Sequence, residues 1–499
     1  MSHQDRGQQN RGRKNSGQKN SVGQSSGQRS SGQRGSGQRS SVGGDVPQLN
    51  SVDLARALQW ILSGVSWLSI GLRGDCTWTP RRLAEAALLW AWSDEVTLGD
   101  RFFTARRLAA HLEPEAGPIA GSYQAFIKLL RRWTKCLMHE LQLAFQKRMQ
   151  VALSASWRIA GYIVFGVDGS RIELPRTKSH EAAYSPSPKR SGKKKRSRRT
   201  QPKHSAHTKK ANVPQMWLTV MLHIATGLPW DWRIGPSDSS ERGHALDMLS
   251  GLPSGSLLTA DAGFVGYDFV RTVLAAGHQL LVRVGSNVRL LKTLGYAEES
   301  SGTVYLWPDR TAKRHQPPLV LRLVIVQGPR YPVYLLTSIV DTTKLSDKQL
   351  GEVYRRRWGI ELFYRHFKQT FQRRKLRGTC AVNAALELEW SLAGLWAMGL
   401  FAASHATKAQ VPLHRLSIAG ILRAFRRLMR DYLHPATPDQ SLCRQLCQAR
   451  IDDYPRKSKS SRDYPRQKPH DHPGPPHIQK ATRMQIQQAQ ELKSALIIK

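Results

Sequence analysis

The chain has 499 residues, 40% of them hydrophobic, which is enough for a sizeable core and for two or three domains and excludes a wholly disordered protein. Lysine and arginine number 76 against 36 acids, a formal net charge of +40, so the expected partner is a large polyanion: DNA, RNA or an anionic membrane. The five cysteines (Cys76, Cys136, Cys380, Cys443 and Cys447) are too scattered for a disulfide framework or a four-ligand zinc site, and reduced cytoplasmic thiols are expected.

Residues 1–50 open with a Ser/Gly/Gln/Arg tract, repeated as Ser31-Gly32-Gln33-Arg34 and Ser36-Gly37-Gln38-Arg39, and are expected to be a disordered basic arm. They lack the apolar core of a signal peptide, so export is not expected. From 51 to 155 apolar residues recur at spacings of three and four, as in Leu54, Leu58, Ile61 and Leu62, predicting a helical domain. Two basic amphipathic stretches within it, Thr104–Leu112 and Lys128–Lys135, suit either a helix-turn-helix DNA reader or a basic helical bundle.

Residues 156–400 change to strands and helices. Gly161–Val167 reads as an apolar strand ending at Asp168-Gly169-Ser170. Trp217–His223 and Pro229–Ile234 flank a hairpin turn, Glu241–Leu249 is helical, and Ser256–Ala260 is a strand running into Asp261-Ala262-Gly263-Phe264. Helix Tyr267–Ala276 and strand Gln279–Val284 follow, giving a βββαβα order and then a β strand. Between the first two strands, residues 178–212 form a basic loop, densest from Lys189 to Lys210, whose like charges repel until phosphate gathers them. Residues 285–340 read as a β-rich insertion.

Ser346-Asp347-Lys348-Gln349 is a capping box, and one helix is expected from there to about Leu376, with Gly378 as its stop. At roughly 100° per residue, Tyr354, Arg357 and Lys368 fall within roughly 40° of Glu361, so a single carboxylate shares a stripe with phosphate-binding groups. Trp390–Ala403 is shorter than the roughly 20 residues of a bilayer crossing and reads as a buried helix. Residues 401–452 are expected to be a helical segment, and 453–499 a basic, mostly disordered tail.

Two aspartates at strand ends and a helix-borne glutamate, if brought together, repel one another unless divalent cations neutralise them, and hard oxygen ligands suit Mg²⁺ or Mn²⁺. The run from Tyr354 through Arg357 and Glu361 to Lys368 resembles the signature of the insertion-sequence-4 group of DDE transposases: Tyr, two residues, Arg, three residues, Glu, six residues, Lys. Asp168-Gly169-Ser170 and Asp261-Ala262-Gly263-Phe264 are similar to that group's two aspartate motifs. The resemblance covers about Gly161 to Leu376. It implies an α/β ribonuclease-H-like catalytic core with the β-rich insertion ahead of the glutamate, preceded by the helical DNA-binding domain.

The resemblance further implies that Asp168, Asp261 and Glu361 are the catalytic metal ligands for two Mg²⁺ or Mn²⁺ ions. Tyr354, Arg357 and Lys368 are then the contacts to DNA. Trp358 either stacks on a displaced base or packs on the core. The implied activity is cleavage at the terminal inverted repeats by water, freeing a 3′-hydroxyl that joins target DNA, with a hairpin as one route for the second strand. The implied partner is double-stranded DNA, with a dimer assembled on it, no membrane, and a cytoplasmic, nucleoid-associated location. Three readings compete: a nonenzymatic basic nucleic-acid-binding protein, an inactive transposase relic, and a metal-dependent nuclease without strand transfer.

Overall fold

The computed structural model describes residues 49–72, 77–119, 121–186, 213–308, 315–328, 331–435, 437–451 and 474–497. The expected basic arm, the Lys189–Lys210 block and the start of the basic tail fall outside the described residues, apart from the two residues that adjoin the first helix. Four helices come first: α1 (Asn50–Leu62), α2 (Pro80–Trp92), α3 (Leu98–Leu112) and α4 (Tyr123–Ala152). The last three start at hydroxyl caps, Thr79, Thr97 and Ser122 accepting from the backbone N–H of Arg82, Asp100 and Ala125.

Strand β1 (Val164–Glu173) follows, then α5 (Lys178–Tyr184), β2 (Gln215–His223), β3 (Leu228–Gly235), α6 (Glu241–Asp247), β4 (Leu257–Ala260), α7 (Tyr267–Ala275) and β5 (Gln279–Val284). Helix α5 corrects the expectation of a loop from 178: Thr177 caps it and His180 is buried beneath it. Strands β6 (Arg289–Lys292), β7 (Thr303–Leu306), β8 (Leu319–Gln327) and β9 (Pro332–Thr337) make up the 285–340 segment. They are not a separate β unit. Strand β9 pairs antiparallel with β5, so they widen the same sheet, whose order is β10-β6-β7-β8-β9-β5-β4-β1-β2-β3.

Beyond the sheet lie α8 (Asp347–Arg356), α9 (Gly359–Arg365), α10 (Ala381–Lys408), α11 (Ile418–Arg430) and α12 (Leu442–Gln448), and the chain ends with strand β10 (His477–Lys480) and α13 (Arg483–Ile497). The last two elements correct the expectation that the tail from 453 is mostly disordered. Strand β10 pairs parallel with β6 at the sheet edge, and Ala489 of α13 is buried with Leu294, Tyr305 and Trp307. All four β10 side chains are exposed, so backbone pairing alone recruits this strand and no hydropathy pattern announces it.

Helix α10 is apolar on nearly every face and buried from Leu386 to Ser404 save for Glu389, as expected for Trp390–Ala403, and no helix among the described residues is long and apolar enough to cross a membrane. It packs on α2, α4, α11 and α12 on one side and on β3 on the other. Trp92 donates to the carbonyl of Gly394 at 2.8 Å, Trp390 to Thr134 at 3.0 Å, and Trp232 of β3 to Glu389 at 3.1 Å. The expected divisions at 155 and 400 therefore do not separate independent bodies: residues from Pro47 onward form one compact unit. Sequence marks the helix as buried but not which surfaces bury it.

A buried polar clasp links this helical layer to the chain that leaves α9. Arg373 is fully buried and donates to Ser391 Oγ (2.7 Å) and to the carbonyls of Phe371 (2.7 Å) and Ala91 (3.0 Å). Glu387 accepts from the backbone N–H groups of Arg377 (2.7 Å) and Gly378 (3.0 Å). Arg373→Ala is expected to destabilise the protein by about 3–5 kcal/mol, because it strands two carbonyls and leaves a void; urea denaturation reads this directly.

Glu389 yields a second expectation. Burial pushes its carboxyl up to about 7, against the Trp232 hydrogen bond, with Asp231 adding to the rise. A carboxyl raised on folding contributes stability that is complete below the unfolded value near 4.5 and is lost as pH climbs through about 7. Glu389→Gln keeps an acceptor for Trp232. It should melt like wild type near pH 4.5 and be more stable by about 1–3 kcal/mol at pH 8, measured as paired melting curves across that range.

Candidate active site

Strand β1 runs on to Glu173, so Asp168 lies within the strand rather than at its end as its apolar run suggested. The polar half, Asp168 to Arg171, stays ordered because it pairs with Val220 to Trp217 of β2. On its other side β1 is parallel to β4, with Val164, Phe165 and Gly166 opposite Leu257, Leu258 and Thr259. Carried forward two residues, that register sets Asp168 level with Asp261, the residue that follows β4. Neighbouring strands are about 4.8 Å apart, so backbone pairing alone brings two carboxylates side by side.

Both aspartates bind nearby backbone. Asp168 Oδ1 accepts from Gly169 N–H at 2.9 Å, and Asp261 Oδ1 accepts from Gly263 N–H at 2.8 Å, opening a 3₁₀ turn. Burial pushes Asp168 up to about 6; the Gly169 hydrogen bond opposes this, Asp261 adds to it, Arg357 opposes it and Glu361 adds to it. The three acids thus lie within electrostatic reach of one another.

Glu361 comes from the third element, whose shape departs from the single helix expected to Leu376. Helix α8 begins at the capping box, with Gln349 N–H on Ser346 Oγ at 3.3 Å and Ser346 N–H on Gln349 Oε1 at 2.9 Å. The chain then tightens: Arg357, Trp358, Ile360 and Glu361 each donate to the carbonyl three residues back, with Gly359 in the middle. After α9 comes one π-helical turn, His366–Thr370, and the helical run stops there. Residues beyond it are extended instead, Glu173 N–H donating to Arg374 O and Leu376 N–H to Glu173 O, which staples this segment to the end of β1.

The break redistributes the stripe. Arg357 lies over the Tyr354 ring at 5.4 Å and sets Nη2 3.4 Å from Glu361 Oε1, so these three stay together. Burial raises Glu361, Arg357 restrains it and Asp261 raises it further. Lys368, within the π turn, donates from Nζ to Ser170 Oγ at 2.6 Å, two residues along β1 from Asp168. Burial lowers its pKa, with Arg374 adding to the fall and Glu173 and Asp168 opposing it. Trp358 is 58% exposed and so does not pack on the core.

Two side chains in this corner were not singled out by sequence. Tyr364 is buried, and its hydroxyl lies 2.8 Å from the carbonyl of Asp168 and 3.0 Å from that of Leu218, pinning α9 across β1 and β2. Sequence shows only one more aromatic on the core face of a helix. Glu241 opens α6, and burial pushes it up to about 7, with Asp168 and then Asp261 adding to the rise. An acid in the first turn of a helix is ordinary charge complementarity, so nothing in the sequence marks it.

Carboxylate oxygens are the donor type that Mg²⁺ or Mn²⁺ prefers, and two acids raised toward neutral pH signal negative charge that a divalent cation would relieve. The residues present fit such ions chemically. Among the described residues no three His, Cys, Asp or Glu side chains converge tightly enough to grip an ion unaided. Arg357 supplies the partial neutralisation instead.

Against known proteins, residues 159–396 match the family model described as the transposase DDE domain. Transposase InsG for insertion sequence element IS4 of Escherichia coli (strain K12) is 24% identical over 224 residues, which is 43% of this chain. The match spans 46% of that relative, under half its length. A piggyBac transposase synaptic complex with hairpin DNA, solved by cryo-EM, is 12% identical with a TM-score of 0.38, covering 82% of this chain and 88% of that one. The segment similar to the transposase DDE domain begins ahead of β1 and ends within α10, and so takes in every side chain of the corner built by β1, β4 and α9.

Proposed function

We propose that the chain is a DNA transposase that cuts at the terminal inverted repeats of an insertion sequence and joins the freed 3′-hydroxyl to target DNA. The observation that carries this reading is the level register of Asp168 with Asp261 beside the parallel strands β1 and β4, and it is supported by the electrostatic influence of Glu361, on a broken helix, on Asp168. A nonenzymatic DNA-binding protein has no use for crowded, half-buried carboxylates that oppose its own folding. The strand order, three antiparallel strands with two parallel ones on the far side of β1, supports a ribonuclease-H-like core.

In this reading Asp168, Asp261 and Glu361 would hold the divalent cations, which would supply Lewis acidity to phosphodiester cleavage. The protein's own side chains do the rest. Arg357, released from Glu361 as the cations bind, turns its guanidinium to a phosphate, and Tyr354 beneath it limits its travel. Lys368 is held at the other end of the corner by Ser170 and meets a second phosphate. Trp358, already in solvent, offers a stacking face to an unpaired base.

A groove runs along α3, lined by Glu95, Asp100, Phe103, Thr104, Arg106 and Arg107. Arg106 lies over Phe103 at 5.5 Å. We assign DNA binding to the helical layer because α4 exposes Lys128, Arg131, Arg132 and Lys135 to solvent, a run of cations suited to phosphates. Coordinated cutting of two ends implies a dimer on DNA.

The test uses the full chain, the DNA bordering its coding segment and Mg²⁺ or Mn²⁺. Asp168→Asn, Asp261→Asn and Glu361→Gln should each lower end cleavage on the order of 100-fold or more while gel-shift affinity stays within a few-fold of wild type. Cleavage at the wild-type rate by any of the three removes that residue from the assignment. Unchanged cleavage by all three refutes the proposed function.

A further inference from the structure

Resting on that reading, we infer that Glu241 is a fourth carboxylate of the cation-binding corner, held by α6 against the backbone of Gly169.

The placement is a matter of geometry. Ser240 caps α6 through the N–H of Gly243, fixing where the helix begins and hence where Glu241 points. The next residue ties that start to the second aspartate's loop: Arg242 donates to the carbonyls of Gly263 at 2.6 Å and Val265 at 2.9 Å, and Gly263 itself donates to Asp261. On the other side, Thr219 Oγ1 of β2 lies 2.9 Å from His244 Nδ1. Helix α6 is thus fastened to β2 on one side and to the loop that follows Asp261 on the other.

Space at Gly169 completes the argument. A Cβ there would lie 2.5 Å from Glu241 Oε1 and 2.7 Å from Trp217 Nε1, so the residue after Asp168 is glycine where the Glu241 carboxylate comes down onto β1. Trp217 Nε1, at the same spot, is buried and has no hydrogen-bond partner. Among the described residues Glu241 has no cationic partner either, although Arg242 is its neighbour: the arginine is spent on the Gly263 loop. Glu241 instead feels the charges of Asp168 and Asp261.

Charge bookkeeping gives this arrangement a purpose. Two divalent ions carry four positive charges; three carboxylates balance three, and Arg357 at the rim subtracts from that. With Arg357 counted, three carboxylates leave the loaded corner at about +2 and a fourth halves that excess before any DNA phosphate arrives, so Glu241 should matter most for cation uptake by the DNA-free protein.

The experiment is Mn²⁺ binding to the full chain without DNA, read by calorimetry and by the loss of the free-ion paramagnetic resonance signal. Wild type, Glu241→Gln, Glu241→Asp and Asp168→Asn are compared, each checked for folding by its melting curve. Glu241→Gln should weaken Mn²⁺ binding by about 10-fold or more or remove one of two ions, Glu241→Asp should restore part of it, and Asp168→Asn should weaken it further. Wild-type Mn²⁺ binding in Glu241→Gln alongside impaired binding in Asp168→Asn overturns this inference and leaves the transposase reading standing. Wild-type binding by both variants, or no uptake by wild type at millimolar Mn²⁺, overturns the inference and removes the metal site beneath it as well.

Discussion

The constraint on which the rest depends is the parallel register of β1 and β4. It sets two aspartates level on adjacent strands, where their charges cannot move apart without breaking backbone hydrogen bonds. Two like charges on adjacent strands repel, and burial of the corner strengthens that repulsion over its value in bulk water. The fold accepts this cost and softens it with the N–H groups of Gly169 and Gly263 and with the guanidinium of Arg357, none of which removes it. A corner that stays electrostatically frustrated in the free protein is one whose charge is matched by something that binds.

What surrounds the corner can be understood as bracing. Tyr364 locks α9 to the carbonyl of Asp168, the segment after the π turn pairs with Glu173, and Arg373 and Glu387 then fasten that segment to α10. Helix α10 in turn carries the load between the sheet and the four leading helices. Among the described residues the helical layer and the acidic corner consequently belong to one compact unit.

Much of this was legible in the residues. Short apolar runs ending in Asp-Gly and Asp-Ala-Gly, and a capping box ahead of an Arg- and Glu-bearing helix, locate Asp168, Asp261, Glu361, Tyr354 and Arg357 on the elements that hold them. Other features were hidden for physical reasons. Asp168 sits mid-strand because β2 supplies partners on its polar half, and pairing is a property of two segments, not one. The π turn ahead of which α9 is pinned at Tyr364 breaks the regular helical spacing that places Lys368 on the Glu361 stripe, and helical periodicity assumes such a break away. Glu241 looks like any acid at a helix start until the fold lays α6 over Gly169. Strand β10 is joined through its backbone alone, and its exposed side chains carry no trace of it.

The central claim is that Asp168, Asp261 and Glu361 close on a pair of divalent ions when DNA is engaged. Anomalous scattering from Mn²⁺ in crystals of the chain with a DNA end tests it most directly. The account predicts two Mn²⁺ peaks about 3.5–4 Å apart, with carboxylate oxygens of all three residues at roughly 2.0–2.3 Å from one or both. Peaks elsewhere in the molecule, or any one of the three carboxylates remaining out of reach of both ions in the DNA-bound assembly, would contradict it.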